Sequence, residues 1–246
     1  MSDAQLRMLW ALGLGLAAAI GNVLGGLFMV RRDWPRRYIT YFLAFGAGFM
    51  LAVSLVEIVP ESIKLAGDSA VLFILIGYFL VHLFEHALVG HFHFGEETHA
   101  EHMHAHHAGF SALAGLGIHT FFDGVAIASG FLVSRWLGVV IFLAIILHKL
   151  PEGFTVSSLI LAKGGSRRSA VLASVFLGAA TILGVLLTGI AQTALAYTLP
   201  LSGGVTMYVA ASDLIPEVNR EPGAWPAILV FLGVALLFAL HRLLHL

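Results

Sequence analysis

Eight long apolar stretches, separated by short polar connections, occupy nearly all of the 246 residues of this chain. Each stretch has close to the roughly 20 residues that an α-helix needs to cross the hydrocarbon core of a bilayer. A helix also satisfies its own backbone hydrogen bonds, as lipid requires. We therefore predict an all-α polytopic membrane protein with eight transmembrane helices, at about residues 8–30, 38–60, 69–89, 109–133, 137–161, 169–192, 201–218 and 225–244.

The composition agrees with a membrane protein and excludes several other classes. Hydrophobic residues make up 59% and charged residues 11% of the chain, whereas soluble domains have roughly 45–50% and about 25%. No remaining segment is long enough for a soluble domain, so we predict a single transmembrane domain over residues 1–246. There are no cysteines, which excludes disulfides and thiolate metal sites. A net charge of −1 gives no indication of a nucleic-acid partner.

The distribution of basic residues predicts an orientation. If successive connections lie on alternate sides of the membrane, eight Lys and Arg residues fall on one side and four on the other. Half of the eight lie in residues 31–37. Because basic loops stay in the cytoplasm, we expect both termini outside and the connection 90–108 inside. That connection contains seven histidines, a composition that binds metal without a fold. We predict a cytoplasmic His-rich loop that captures metal weakly, although it could also be dispensable.

Two matched motifs lie inside the fourth and fifth stretches. His119 precedes Asp123 by four residues, and His148 precedes Glu152 by four, with a glycine after each acid. Residues at i and i+4 share one helix face, and the short connection makes the two helices antiparallel neighbours. Imidazole and carboxylate are ligands of divalent transition metals, and ionisable groups in a membrane are functional candidates. We predict an intramembrane metal site, against the alternative of structural hydrogen bonds across helices.

An internal repeat is also visible. The pattern acid-x-x-Pro-Glu occurs at 57–61 in the second stretch and at 213–217 in the seventh. These stretches cross the membrane in opposite directions, which is typical of an inverted repeat framing a central site. The alternative is that proline ends two helices at the interface.

The paired motifs resemble those of the ZIP family of divalent metal transporters. The family's fourth helix carries His-Asn-x-x-(Glu/Asp)-Gly and its fifth carries His-x-x-Pro-Glu-Gly. Here they read His119-Thr-Phe-Phe-Asp123-Gly and His148-Lys-Leu-Pro-Glu152-Gly. The resemblance covers essentially the whole chain. It implies a 3+2+3 arrangement, with helices 1–3 and 6–8 as an inverted repeat around helices 4 and 5. It also implies metal movement toward the cytoplasm, a plasma (inner) membrane location and a homodimer.

Two further metal ligands are predicted on the second stretch. The resemblance places an entrance ligand at Glu57. Met50 lies seven residues earlier, two helical turns inward on the same face, and could offer a thioether to the central site. A lone Met in an apolar helix is also a common packing residue, so both roles stay open for it.

Lys149 departs from the family pattern. The resemblance implies that some family members hold a binuclear centre. Its second metal uses this position, the position of Thr120 and an acid on helix six. Here the sixth stretch contains no acid, and an ammonium at 149 would repel a second cation while pairing with Asp123 or Glu152. We predict a single metal, with Lys149 near the vacant second position. The alternative is a Lys149 that faces a wet cavity.

The function predicted from these features is secondary transport, not enzymatic catalysis. The bound substrate is expected to be Zn²⁺, or alternatively Fe²⁺, Mn²⁺, Co²⁺ or Cd²⁺, with no organic cofactor and with the lipid bilayer as partner. One alternative is an intramembrane zinc-dependent hydrolase, which needs a base outside the ligand shell. The acids available for that role are Glu57, Glu85 and Asp213, and none is well placed. The segment His82-Leu-Phe-Glu85-His86 matches a metalloprotease pattern only over five residues. Another alternative is a metal sensor that does not transport.

Overall fold

The computed structural model describes residues 2–31, 36–87 and 108–244. Most of the predicted His-rich loop therefore lies outside the described residues. Within these ranges the chain is helical and has no strand. The α-helices are α1 (Asp3–Arg31), α2 (Arg36–Val53), α3 (Val59–Ala66), α4 (Ser69–Ala87), α5 (Ala108–Val133), α6 (Arg135–Ala162), α7 (Arg167–Ile190), α8 (Leu195–Tyr208), α9 (Ile215–Val218) and α10 (Trp225–Leu244).

Eight helical segments of the described chain are long and apolar enough to cross a membrane, so the predicted number of spans is confirmed. The second span runs through α2 and α3, as Arg37–Ala66, and the seventh runs through α8 and α9, as Gln192–Val218. Both are longer than the predicted apolar stretches. The second span continues past Pro60 and the seventh begins before Pro200, and sequence patterns treat proline as a helix boundary.

A π-helical turn precedes the proline in both halves of the repeat. The turns are Ser54–Ile58, before Pro60, and Val209–Leu214, before Pro216. Proline has no N–H and its ring clashes with the preceding turn, and a wider turn makes room for it while backbone hydrogen bonding continues. Both helices continue beyond the proline rather than ending there. The sequence repeat is thus matched by a repeat of local backbone structure.

Glycines join α1 to α6 and α5 to α7 at backbone contact distance. A Cβ added at Gly153 on α6 would overlap the carbonyl of Asn22 on α1. In the same way, a Cβ at Gly124 on α5 would overlap the carbonyl of Thr181 on α7. Gly153 and Gly124 are the glycines that follow the two acids of the His-acid motifs. Each motif helix is therefore held against a different partner by the same device.

A second pair of contacts joins α2 to α10 and α4 to α8. A Cβ at Gly48 would overlap the carbonyl of Val230, and one at Gly204 would overlap the carbonyl of Ile74. Along the chain, Gly48 and Gly204 are separated by the same number of residues as Ile74 and Val230. The two acid-x-x-Pro-Glu motifs have this sequence separation as well. The two contacts are therefore equivalent under the sequence repeat.

These pairs join into two sets. The first is α1, α5, α6 and α7, because a Cβ at Gly178 on α7 would also lie 3.0 Å from the Ala19 carbonyl oxygen on α1. The second is α2, α4, α8 and α10, because α2 packs on the second π turn and α8 packs on the first. Among the described residues, every glycine whose added Cβ would overlap a carbonyl of another helix joins two helices of one set. Between the sets, α2 packs on α6 and α5 packs on α8. There, a Cβ at Gly46 would lie 3.3 Å from the Cβ of Leu147. Packing is thus tightest within each set.

Candidate metal centre

The structure brings the two His-acid pairs of α5 and α6 to one point. Their ligand atoms all lie within 4.8 Å of one another, and the four side chains are buried. Within the described ranges, this is the one group of three or more His, Asp or Glu residues arranged in this way. It contains His119, Asp123, His148 and Glu152, as the motif spacing predicts.

Both imidazoles direct a nitrogen at the same carboxylate oxygen. The Nε2 atoms of His119 and His148 are 3.4 Å apart, and they lie 3.2 and 3.3 Å from Asp123 Oδ2. The Nδ1 atom of His148 lies 3.1 Å from the Ala144 carbonyl, to which a protonated Nδ1 donates. That bond leaves the Nε2 lone pair free to face the site, the arrangement usual for metal-binding histidines.

Lys149 is part of the same buried cluster. Its Nζ lies 2.6 Å from Asp123 Oδ2 and 2.5 Å from Glu152 Oε2, and none of its surface is exposed. Thr120 donates a hydrogen bond to Glu152 Oε1 and lies 3.3 Å from the Lys149 ammonium. Lys149 therefore bridges both acids, where the sequence predicted a bond to one or the other.

The net charge of the cluster favours the binding of a cation. With neutral imidazoles, the ammonium of Lys149 and the carboxylates of Asp123 and Glu152 carry a net charge of −1. Asp123 Oδ1 is buried and has no hydrogen-bond partner among the described residues. An unpaired buried acceptor is costly, and a bound cation would satisfy it.

The two other predicted ligands, Met50 and Glu57, are not members of the four-residue group. Met50 is fully buried in the apolar core, and its carbonyl accepts a 2.9 Å hydrogen bond from the Ser54 hydroxyl. Glu57 is not in the four-residue cluster; its Oε1 lies 3.1 Å from His241 Nδ1 on α10. The Trp136 ring lies edge-on to His241, with centroids 5.7 Å apart. The sequence did not predict the contact between Glu57 and His241, because nothing in their spacing links the second and eighth spans.

Comparison with known proteins identifies the family. The family profile described as ZIP Zinc transporter matches residues 96–241, a range that includes both His-acid motifs. The zinc transporter ZIP13 of Gallus gallus is 29% identical over 124 residues, covering 48% of this chain and 34% of the relative. The zinc transporter ZIP4 of Homo sapiens is 31% identical over 133 residues, covering 52% and 19%. The human zinc transporter SLC39A7 is 28% identical over 138 residues, covering 52% and 29%.

The matched part of the chain thus spans about a fifth to a third of the length of these curated relatives. The resemblance seen in the motifs is confirmed by the profile, which matches more than half of the chain. This integral membrane protein belongs to the ZIP zinc transporter family.

Proposed function

We propose that this protein is a secondary transporter that moves zinc, or a related divalent ion, through a single central site. The proposed ligands are His119, Asp123, His148 and Glu152. The observation that carries the proposal is the convergence of their donor atoms within 4.8 Å in the middle of two membrane helices. Two imidazoles and two carboxylates suit Zn²⁺ and also accept Fe²⁺, Mn²⁺, Co²⁺ or Cd²⁺.

A single ion is proposed because Lys149 occupies the space beside the ligands. Its ammonium contacts both carboxylates and neutralises one of the two buried negative charges in the absence of metal. A second divalent ion sharing the same carboxylates would face this fixed positive charge at short range. Met50 and Glu57 are proposed as auxiliary ligands, Met50 at the central site and Glu57 at the outer entrance.

The packing supports a transport mechanism in which one set of helices moves past the other. The ligand helices α5 and α6 are tied to α7 and α1 by backbone-close glycine contacts, and α2, α4, α8 and α10 form the other set. We propose alternating access by sliding of the ligand-bearing set, driven by ion gradients. The equivalent glycine contacts and π turns support the inverted-repeat, 3+2+3 arrangement that this mechanism uses.

The direction and location complete the proposal. Metal moves toward the cytoplasm across the plasma (inner) membrane, with both termini outside. The excess of basic residues on one set of connections supports this orientation. A homodimer is also proposed, and the mass of the detergent-solubilised protein by light scattering would test it.

The proposed function is tested by ⁶⁵Zn²⁺ uptake into proteoliposomes, together with zinc binding in detergent. We expect His148→Ala and Glu152→Ala to lose both uptake and high-affinity binding. Leu150→Ala is the matched control, because Leu150 lies between the two ligands on α6 but faces outward. Uptake that survives in both ligand variants would exclude this site from the pathway.

Two other results would point to other functions. Zinc binding without flux in the wild type would favour a sensor. Zinc-dependent turnover of a peptide or lipid substrate would favour a hydrolase.

A further inference from the structure

A histidine and a carboxylate from different helices meet at the end of the spans that is opposite the His-rich connection. Glu57 belongs to the first π turn, in the second span, and His241 belongs to the last turn of α10. The Oε1 atom of Glu57 lies 3.1 Å from the Nδ1 atom of His241. The side chain of Glu57 is 12% exposed and that of His241 is 53% exposed. An imidazole and a carboxylate thus share an accessible position at the end of the helix bundle.

Packing places this pair at the end of the contact between α2 and α6. Near the central site, Gly46 of α2 lies against Leu147 of α6. Glu57 and Trp136 are separated from this contact by the same number of residues, along helices that run in opposite directions. That separation, about three turns of helix, amounts to about 16 Å. The His241 ring lies edge-on to the Trp136 ring, with centroids 5.7 Å apart, so the pair lies at the start of the helix that carries two central ligands.

A structural role explains this contact poorly. Pairs of exposed polar groups contribute only about 0–1 kcal/mol to stability. The helices α2 and α10 are already joined by two backbone-close contacts, because a Cβ at Gly48 would overlap the Val230 carbonyl and one at Gly233 would overlap the Phe45 carbonyl. Moreover, the carboxylate projects from a π turn, a local structure that is frequent at functional sites. The arrangement of the two side chains therefore suggests a ligand.

The separation of the two donor atoms is close to that of two ligands on one zinc ion. Tetrahedral zinc holds nitrogen at about 2.0–2.1 Å and carboxylate oxygen at about 2.0–2.2 Å, so two such ligands lie about 3.3–3.5 Å apart. The Nδ1 atom of His241 and the Oε1 atom of Glu57 are 3.1 Å apart, and a slight opening would admit the ion. Without metal, a proton on Nδ1 is donated to Oε1, and a bound ion would take its place.

Two protein donors make a weak site. Among the residues that the structure describes, the central group alone brings together three or more His, Asp or Glu ligand atoms, so water would complete the shell of an ion at Glu57 and His241. Zinc concentrations that fill the central site would therefore leave this pair empty. Weak binding suits a point of entry, because an ion that enters a pathway must also leave each site along it.

The imidazole determines which ions the pair prefers. A carboxylate alone suits Ca²⁺ and Mg²⁺, whereas an imidazole favours transition metals such as Zn²⁺. The surrounding charges permit a cation. The last turn of a helix, where His241 lies, is the negative end of the helix dipole. Lys64, further along the second span, is paired with Glu61 at 2.9 Å, and Arg242 lies about 100° further around α10 than His241.

We propose that Glu57 and His241 form an outer metal-binding site, which holds Zn²⁺ or a related transition-metal ion between Oε1 and Nδ1 and disfavours Ca²⁺ and Mg²⁺. The proposal goes beyond an entrance role for Glu57, because it adds a second ligand from another helix and assigns ion selectivity to that ligand. The use of this site to capture incoming metal rests on the proposed transport function, whereas metal binding by the pair does not.

Quenching of tryptophan fluorescence by Co²⁺ in detergent tests the binding, because Trp136 lies beside His241. We expect the wild type to show a weak quenching phase that Trp136→Phe, His241→Asn and Glu57→Gln all lack. Asparagine keeps a side-chain N–H that can bond Glu57 but has no ring nitrogen, so His241→Asn separates metal binding from a structural hydrogen bond. His86→Ala, which removes an exposed histidine at the opposite end of the spans, should retain the phase. A wild type without this phase, or a phase that persists in both ligand variants, would overturn the proposal.

Uptake of ⁶⁵Zn²⁺ into proteoliposomes, with and without excess Ca²⁺, tests the capture role. We expect His241→Asn to raise the KM for zinc severalfold at an unchanged maximal rate, and to make uptake sensitive to Ca²⁺, because Glu57 alone does not discriminate between the ions. His86→Ala should behave as the wild type. An unchanged KM in His241→Asn, or a lower maximal rate as its sole effect, would refute the capture role. If the wild type takes up no zinc, the transport function fails, and Co²⁺ quenching alone decides whether the outer site exists.

Discussion

Replacing Lys149 by Met removes one charge from the central site and keeps most of the side-chain volume. A metal bound to Asp123 Oδ2 at about 2.0–2.2 Å would lie within about 4.8 Å of the Lys149 ammonium, because Nζ is 2.6 Å from the same oxygen. Unit charges 4 Å apart interact by about 4 kcal/mol at an effective dielectric constant of about 20. At the larger distance, the repulsion between the ammonium and a divalent ion is therefore about 7 kcal/mol.

Only part of this repulsion will appear as affinity. Without Lys149, the carboxyl groups of Asp123 and Glu152 are left together in a buried site, and one of them takes up a proton. Zinc must displace that proton on binding. We expect Lys149→Met to bind zinc at least tenfold more tightly, a gain of about 1.4 kcal/mol, and to release about one more proton per ion.

Titration calorimetry in buffers of different ionisation enthalpy measures both the affinity and the protons released. Lys163→Met is the matched control, since Lys163 lies just after the end of α6 and outside the site. Unchanged or weaker zinc binding in Lys149→Met would refute the electrostatic argument. Two zinc ions per wild-type chain would refute the single-ion site, whereas a second ion in the variant alone would support it.

Three further predictions concern packing and the auxiliary ligands. Gly153→Ala should lower the free energy of unfolding by about 1–3 kcal/mol, because the added Cβ would overlap a backbone carbonyl of α1. Gly13→Ala is the control and should not lower it, because no atom lies within 4 Å of the added Cβ. Equal thermal melting temperatures of the two variants would contradict this prediction. Met50→Leu should weaken Cd²⁺ binding more than Zn²⁺ binding if the thioether is a ligand, and equal affinities would assign Met50 to packing. Glu57→Gln should slow uptake at low zinc concentration without changing equilibrium zinc binding at the central site. Glu61→Gln is the control and should leave uptake unchanged, because Glu61 pairs with Lys64. Normal uptake in Glu57→Gln would count against an entrance role for Glu57.

Local sequence pattern was sufficient for the number of spans and for the convergence of the four candidate metal ligands. The apolar stretches determine the spans because lipid leaves the backbone few alternatives to a helix. The spacing of His119 and Asp123, and of His148 and Glu152, places each pair on one helix face. A short connection then makes the two helices neighbours, so that the meeting of all four side chains also follows from sequence.

Pattern was insufficient wherever a contact joins spans that are distant in the chain. Hydropathy cannot rank helix pairs, since lipid is as apolar as the helix surfaces, and close packing at small residues decides instead. The separation into two sets of helices depends on which carbonyl each glycine meets. Likewise, the pairs Glu57–His241 and Glu85–Tyr208 exist only because α2 packs on α10 and α4 on α8.

The sequence by itself determined the membrane spans, the family and the four residues of the candidate metal site, because these depend on composition and on spacing within a helix. The tertiary structure alone decided that Lys149 bridges both carboxylates, that π turns carry two spans past their prolines, and that Glu57 of the second span contacts His241 of the eighth. These features depend on distances between helices, and the spacing of residues along one helix does not set those distances.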